Sequence, residues 1–174
     1  LSIASDGTKA IMALDSLVKP ADVVSVEFAS GKVTRLTQAN DEALATFALL
    51  PPESITYKGA LGKEVQGWIT KPANFDATKR YPLLVLAHGG PQGVWGDSWS
   101  FRWNPQVFAA AGFVVFSPNP RGSTGFGQAF TDDVTRDWGG KAYEDIMKGT
   151  DVAAALPYVD KDRVLAAGAS YGGY

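Results

Sequence analysis

The chain of 174 residues contains no cysteine and only one histidine. Without thiols, neither a disulfide framework nor a thiolate metal site can form. The lack of cysteine does not choose between cytoplasm and periplasm, since either compartment fits such a chain. No apolar run approaches the length of a membrane span. The net charge of −2 provides no basic surface for nucleic acid or anionic lipid. We therefore expect no nucleic-acid partner and no membrane partner.

Residues 1–48 consist of short strand-like runs separated by turns. The runs at residues 10–14, 23–28 and 33–36 are rich in Val, Ile, Leu and Ala, and the last two flank a Ser-Gly turn. Such a pattern predicts an antiparallel meander, which is also the unit of a β-propeller blade. The segment contains no second copy of the pattern, so it does not by itself establish a repeat array.

Residues 49–174 have the texture of an α/β domain. The segment contains several short, continuous apolar runs, which are typical of buried parallel strands. A hairpin is predicted first, at residues 54–57 and 65–70, followed by buried strands at 82–87, 113–116 and 163–167 and helices at 104–111 and 137–156. The alternation of strand and helix indicates parallel pairing through crossover connections. The fold class predicted for the chain is therefore α/β.

Gly168, Ser170 and Gly172 form a Gly-x-Ser-x-Gly pattern directly after the last apolar run. This is the pattern of a nucleophile elbow, in which a tight strand-to-helix turn holds a serine hydroxyl at the carboxyl edge of a sheet. The glycines are required because a Cβ at either position would clash where the backbone bends back on itself. An ordinary glycine-rich turn is the alternative. Residues 96–100 (Gly-Asp-Ser-Trp-Ser) partly match the same pattern, but they lack the second glycine and follow no strand, so we reject them as a nucleophile elbow.

A second glycine-rich loop, beginning His88-Gly89-Gly90, follows the strand predicted at residues 82–87. Acyl transfer requires main-chain N–H donors for the oxyanion, and the pattern predicts those of Gly90 and Tyr171, with Gly89 as the less favoured choice. A plain Gly-Pro turn is the alternative. His88 precedes Ser170 in the chain, whereas in enzymes with a nucleophile elbow the histidine base follows the serine. We therefore expect the His88 imidazole to orient the loop rather than to act as the base.

Ser170 then has no base within these residues, and a serine hydroxyl needs one in order to attack. We therefore expect the acid and the base, an Asp and a His, in a segment after residue 174. The chain is read as a fragment that ends at the elbow and is inactive, or nearly so, by itself. A non-catalytic piece that requires a partner segment is an open alternative.

Other patterns are weaker. The glycines of residues 122–127 and 139–141 do not have the spacing of a dinucleotide or phosphate loop. Five acidic side chains lie between residues 132 and 145, with no His or Cys among them: Asp132, Asp133, Asp137, Glu144 and Asp145. A solvent-exposed acidic face, with negative charge near a helix N-terminus, is favoured over a metal site. A group of aromatic residues is either core or a wall of a substrate cleft: Trp95, Trp99, Phe101 and Trp103.

Four motifs give residues from about 50 to 174 a specific resemblance. They begin at His88 (His-Gly-Gly-Pro), Asn119 (Asn-Pro-Arg-Gly-Ser-Thr-Gly-Phe-Gly), Asp137 (Asp-Trp-Gly-Gly) and Gly168 (Gly-Ala-Ser-Tyr-Gly-Gly-Tyr). Together they resemble the first half of the catalytic domain of the prolyl oligopeptidase family of serine peptidases. The acylaminoacyl-peptidase and type-five dipeptidyl-peptidase branch is the most similar.

The resemblance implies an incomplete α/β-hydrolase fold, preceded in residues 1–48 by the end of a β-propeller. It implies Ser170 as the nucleophile, Gly90 and Tyr171 as oxyanion donors, and a structural role for Arg121. The implied activity is hydrolysis of short peptides through an acyl-enzyme, releasing dipeptides or acyl-amino acids, with no metal or organic cofactor. An α/β-hydrolase esterase is the alternative activity, and a homo-oligomer remains an open alternative.

Overall fold

The computed structural model describes residues 1–174, and they separate into two compact units. Leu1–Leu49 and Asp97–Asn104 make up the first unit, whereas Leu50–Gly96 and Pro105–Tyr174 make up the second. The sequence did not indicate that residues 97–104 belong with the first unit.

The first unit is built on an antiparallel sheet of four strands in the order β1-β2-β3-β4. The strands are β1 (Ser2–Ile3), β2 (Lys9–Ser16), β3 (Lys19–Glu27) and β4 (Val33–Arg35), followed by the short helix α1 (Asp41–Leu44). Side chains alternate between the two faces of a strand, and this alternation buries Pro20, Asp22 and Val24 on one face of β3.

Asp22 is the buried charge of this sheet. Its carboxylate accepts hydrogen bonds from Arg35 at 2.6 Å and from the Thr37 hydroxyl at 2.9 Å, and Lys19 lies 3.3 Å away. Burial raises the pKa of Asp22, but the bonds from Thr37, Arg35 and Lys19 outweigh that effect and lower the pKa to about 2. The carboxylate therefore links β3 to the end of β4 and to the residues that follow it.

Residues 97–104 are attached to the first unit by side-chain to main-chain hydrogen bonds. Asp97 accepts a bond from the Leu17 N–H at 2.7 Å, and Asp15 accepts one from the Trp99 N–H at 2.8 Å. The Trp99 and Phe101 rings meet edge to face with centroids 5.9 Å apart. Phe101 is nevertheless 89% exposed, so this ring is not part of a core.

The second unit is a mixed sheet of five strands in the order β5-β6-β8-β7-β9. Its strands are β5 (Glu53–Lys58), β6 (Glu64–Thr70), β7 (Tyr81–Ala87), β8 (Val114–Asn119) and β9 (Val159–Gly168). The β5–β6 hairpin and the β6–β8 pair are antiparallel, whereas β7 runs parallel to both β8 and β9. The helices are α2 (Pro105–Ala110), α3 (Gln128–Asp132) and α4 (Lys141–Ala154). None of the helices is long and apolar enough to cross a bilayer.

Helix α4 covers the core of this unit but differs from its prediction. It begins at Lys141 rather than Asp137, because residues 137–140 form a glycine-rich turn in which Asp137 accepts a hydrogen bond from the Lys141 N–H. Its buried residues are Ala142, Asp145, Gly149 and Ala153. A Cβ on Gly149 would lie 2.5 Å from the Tyr57 ring, so this glycine allows the helix to approach the sheet closely.

Strand β9 lies at the edge of the sheet, next to β7. We predicted a buried strand at residues 163–167, and the burial was wrong: Val164 is 40% and Leu165 47% exposed. The pairing itself is parallel, and Ala87 of β7 lies opposite Gly168 of β9. The carboxyl ends of two neighbouring parallel strands therefore lead directly into the two glycine-rich loops.

Candidate active site

Ser170 stands at the start of a tight 3-10 turn (Ser170–Gly173) that follows β9. Its φ of 58° lies in the left-handed region, which a residue with a side chain rarely adopts. Strained conformations of this kind are characteristic of functional turns, and a nucleophile elbow has one at its serine. The side chain is exposed at the carboxyl edge of the sheet. A substrate can therefore reach it.

The two glycines of the pattern are held by close backbone contacts. A Cβ on Gly168 would lie 2.2 Å from the carbonyl oxygen of Gly172, and a Cβ on Gly172 would lie 2.3 Å from that of Ala87. Both distances are far inside van der Waals contact, and the opposing atoms are main chain that cannot rotate away. The tight turn thus requires glycine at both positions.

The loop after β7 reaches the serine. A Cβ on Gly89 would lie 3.4 Å from the Ser170 Cβ and 3.8 Å from its Oγ, so any side chain at this position would contact the serine. The pairing of Ala87 with Gly168 explains this proximity, because each loop begins one residue later on adjacent strands. The structure therefore brings the two predicted loops together.

Gly90 has a conformation that only glycine adopts readily. Its φ is 137°, and a Cβ there would lie 2.5 Å from the Gln92 nitrogen. The Gly90 N–H donates to no acceptor within the chain. An unused main-chain donor in a loop beside an exposed serine is what an oxyanion site requires. The assignment of Gly90 and Tyr171 as its donors stays a prediction.

His88 uses both of its ring nitrogens away from Ser170. Nδ1 lies 2.8 Å from the carbonyl oxygen of Gly89, and Nε2 lies 2.9 Å from the Ser123 hydroxyl. Because a carbonyl can only accept, the first contact places a proton on Nδ1. Burial lowers the pKa of His88, although the bond to Gly89 opposes that effect. This arrangement suits an imidazole that orients the loop.

Tyr171 follows the serine, and its side chain points back to the turn before α4. Its phenol donates a 2.6 Å hydrogen bond to the carbonyl oxygen of Trp138, and the Trp138 ring lies edge to face with it at 5.4 Å. The Tyr174 ring stacks on the Tyr171 ring at 6.2 Å. The turn at residues 137–140 thereby supports the elbow.

Arg121 and Asp145 form a buried ion pair behind the site. Arg121 is 1% and Asp145 0% exposed, and Arg121 Nε donates to Asp145 at 3.1 Å. Asp145 also accepts the main-chain N–H groups of Ala60 and Arg121, and Arg121 donates in turn to the Ala60 carbonyl and to Asp133. The prediction that Asp145 belongs to a solvated acidic face was wrong, because Arg121 compensates its charge inside the protein.

A cavity of about 610 Å³ lies between α4, β9 and the elbow. Aromatic side chains line much of it, including Trp138, Tyr143, Tyr171 and Tyr174. Ser170 is not among its lining residues. We therefore do not assign this cavity to the acyl group of a substrate. The chain has no group of three His, Cys, Asp or Glu side chains that could hold a metal ion.

Sequence reasoning gave no role to three residues that contact the site. Asn119 and Ser123 hold the loop that begins at His88, and Trp138 accepts the bond from Tyr171. All three lie in the motifs at residues 119–127 and 137–140 that carried the resemblance. Their membership of those motifs was the available signal, but their partners are distant in sequence.

Residues 99–174 match the model of the prolyl oligopeptidase family. Dipeptidyl-peptidase 5 of Schizosaccharomyces pombe is 55% identical over 123 residues, which are 70% of this chain and 18% of that protein. The chain thus spans less than a fifth of the length of this relative.

Two solved structures are similar over nearly the whole chain. Uncomplexed acylaminoacyl peptidase of Pyrococcus horikoshii has a TM-score of 0.84 at 28% identity, over 95% of this chain and 26% of that one. Dipeptidyl peptidase 4 of Porphyromonas gingivalis has a TM-score of 0.79 at 28% identity, over 98% of this chain and 25% of that one. The mixed α/β architecture is therefore one that peptidases have.

In its architecture and in the turn around Ser170 the chain is similar to these peptidases. In sequence it is similar to the prolyl oligopeptidase family over residues 99–174 and to dipeptidyl-peptidase 5 over 123 residues. The resemblance inferred from the four motifs is confirmed.

Proposed function

We propose that the protein containing these residues is a serine peptidase that hydrolyses short peptides through an acyl-enzyme on Ser170. The observation that carries the proposal is the exposed Ser170 at a φ of 58°, beside a glycine loop with an unused N–H. The similarity to dipeptidyl-peptidase 5 and to acylaminoacyl peptidase supports release of dipeptides or acyl-amino acids from peptide N-termini.

In the proposed reaction Ser170 Oγ bonds to the substrate carbonyl carbon while its proton passes to a histidine base. The carbonyl oxygen takes the negative charge, which the N–H groups of Gly90 and Tyr171 stabilise. Collapse of the tetrahedral intermediate breaks the C–N bond, and the leaving amine takes the proton from the histidine. Water then cleaves the acyl-enzyme by the same steps.

The base is proposed to lie outside residues 1–174, together with its acid. His88 is the only histidine here, and both its ring nitrogens are already engaged by Gly89 and Ser123. We further propose that residues 49–174 form the first half of an α/β-hydrolase domain. Residues 1–48, with their four-stranded antiparallel sheet, are proposed to be the end of a β-propeller.

The test uses the full-length protein and a fluorophosphonate probe, which reacts covalently with an activated serine and releases fluoride. We expect labelling at Ser170 that the Ser170→Ala variant loses. Ser98→Ala is the matched control, because this exposed serine lies in the rejected run at residues 96–100 and should not affect labelling. A folded protein that is not labelled, or is labelled at another serine, would contradict the proposal.

Substrates then separate the activities. Dipeptidyl amides, N-acyl-amino acid amides and simple esters are compared on the same preparation. We expect turnover of at least one class of amide. Turnover of esters alone would replace the peptidase by an α/β-hydrolase esterase.

A further inference from the structure

The segment at residues 119–124 lies against the glycine loop, defined here as residues 88–96. It begins with the last residue of β8 and carries Asn119, Arg121, Gly122, Ser123 and Thr124. Arg121 turns away into its ion pair with Asp145. The other four contact the loop, and we call residues 119–124 the clamp segment.

The side chain of Asn119 holds one end of the loop by bonding to the main chain of Trp95. The buried amide accepts a 2.7 Å hydrogen bond from the Trp95 N–H and donates one of 3.0 Å to the Trp95 carbonyl oxygen. It also donates to Gln66 at 2.6 Å. A side-chain amide that pairs with both the N–H and the C=O of one residue fixes that residue in the way a neighbouring strand would.

The middle of the loop is held by one main-chain hydrogen bond and one close packing contact. The Thr124 N–H donates a 2.9 Å hydrogen bond to the Gly93 carbonyl oxygen. Gly122, at a φ of 98°, approaches Pro91 so closely that a Cβ would lie 3.0 Å from the Pro91 Cβ. The hydrogen bond therefore resists separation of the loop from the clamp segment at Gly93, and the packing leaves no room for closer approach at Pro91.

Ser123 holds the other end through His88. Its buried hydroxyl lies 2.9 Å from His88 Nε2 and 2.6 Å from the Pro120 carbonyl oxygen. The opposite ring nitrogen of His88 donates to the Gly89 carbonyl oxygen. In a trans peptide the C=O and the following N–H point in opposite directions. The direction of the Gly89 carbonyl thus determines the direction of the Gly90 N–H.

From these contacts we propose that Ser123 is a positioning residue for the oxyanion donor. It acts through His88, whose ring turns the Gly89–Gly90 peptide so that the Gly90 N–H faces the reacting carbonyl oxygen. Asn119 contributes to the same positioning by anchoring the far end of the loop at Trp95. The inference rests on the proposed peptidase function and gives a role to a motif which that function leaves unused.

The experiment compares Ser123→Ala with Ser117→Ala in the full-length protein. Ser117 is equally buried on β8, but its hydroxyl has no hydrogen-bond partner. Losing an oxyanion donor outright costs about 100- to 1000-fold in kcat, so a donor that is merely misdirected should cost about tenfold. We expect that loss in Ser123→Ala with KM within a factor of about two, and an unchanged kcat in Ser117→Ala.

A peptide aldehyde provides a readout that a general loss of structure would not reproduce. It forms a tetrahedral adduct with the serine, whereas a product peptide binds without one. Ser123→Ala should weaken aldehyde affinity about tenfold and leave product affinity unchanged. In a His88→Ala background the Ser123→Ala change should have no further effect, since Ser123 acts through that ring.

The outcomes separate the two proposals. If the wild-type protein is not labelled by the fluorophosphonate, the proposed function fails. If it is labelled but Ser123→Ala retains kcat and aldehyde affinity within twofold, or loses product affinity equally, only the positioning role fails. Should Ser123→Ala not fold, Ser123→Cys keeps a similar volume but replaces the hydroxyl by a much weaker hydrogen-bonding group, so aldehyde affinity should still fall. A loss of product affinity equal to that fall would overturn the role.

Discussion

The phenol of Tyr171 donates a 2.6 Å hydrogen bond to the carbonyl oxygen of Trp138, a residue 33 positions earlier in the chain. Tyr171 directly follows Ser170, so this bond joins the elbow to the turn that precedes helix α4. The edge-to-face contact of the two rings, with centroids 5.4 Å apart, supports the same connection. The elbow is thus supported from a second element and not only by its own strand.

Replacing Tyr171 by Phe should weaken this support while preserving the ring contact. One net hydrogen bond contributes about 1 kcal/mol to stability, and we expect the free energy of unfolding to fall by that amount. Because the bond positions the residue that carries a proposed oxyanion donor, we also expect kcat to fall about fivefold. Chemical denaturation and steady-state kinetics measure both effects. Tyr143→Phe, at a 60% exposed tyrosine, is the control, and an equal loss there would contradict the prediction.

The glycines of the elbow allow a sharper comparison. A Cβ on Gly172 would lie 2.3 Å from the Ala87 carbonyl oxygen, whereas the nearest atom to a Cβ on Gly173 is 3.6 Å away. Gly172→Ala should therefore displace the turn and reduce kcat/KM by about 100-fold, as small misplacements of a reacting group do. Gly173→Ala, an identical change one residue later, should retain most of the activity. Equal activities of the two variants would show that the turn is not close-packed.

The Arg121–Asp145 pair predicts a large effect on stability. Removing one partner of a buried ion pair leaves an uncompensated charge and costs about 3–5 kcal/mol. We expect that loss for Arg121→Met in chemical denaturation. The exposed pair Lys58–Glu64, whose side chains are 67% and 71% accessible, is the control, because Lys58→Met should cost less than about 1 kcal/mol. A loss for Arg121→Met as small as that control would contradict the structure.

His88 makes the acid side of the pH dependence testable. Its pKa is lowered by burial, so below the ordinary value of about 6.5 the unfolded chain binds a proton that the folded chain resists. The stability that His88 contributes is thus present above that pH and is lost as the pH falls through the lower, folded-state pKa. NMR titration of the imidazole, identified by its absence in His88→Gln, should give a midpoint below 6.5. A midpoint at or above it would contradict the buried placement.

Local sequence patterns predicted the strands of the second unit well. Strands β7 and β8 are short, continuous apolar runs, and a chain that is buried on both faces has that composition whatever surrounds it. The elbow glycines could be predicted equally well, because the steric requirement for them involves only a few neighbouring residues. Helix α4 was predicted about four residues too long at its start, since Asp137 lies at a turn that the helical spacing of apolar residues does not reveal.

What the sequence could not reveal depends on partners distant in the chain. Asp145 was grouped with exposed acids, but the buried Arg121, 24 residues away, and the Ala60 N–H, 85 residues away, make its burial tolerable. Ser123 reaches His88 across 35 residues. The exposure of Val164 and Leu165 follows from the edge position of β9, which depends on the order of strands in the sheet and not on the run itself.

The central claim is that Ser170 presents its hydroxyl to two main-chain donors. A crystal structure of the full-length protein after reaction with a fluorophosphonate tests this claim most directly. We predict a covalent bond from phosphorus to Ser170 Oγ, with the phosphonyl oxygen about 2.7–3.1 Å from the nitrogens of both Gly90 and Tyr171. An adduct on another side chain, or an oxygen directed away from the glycine loop, would contradict the account.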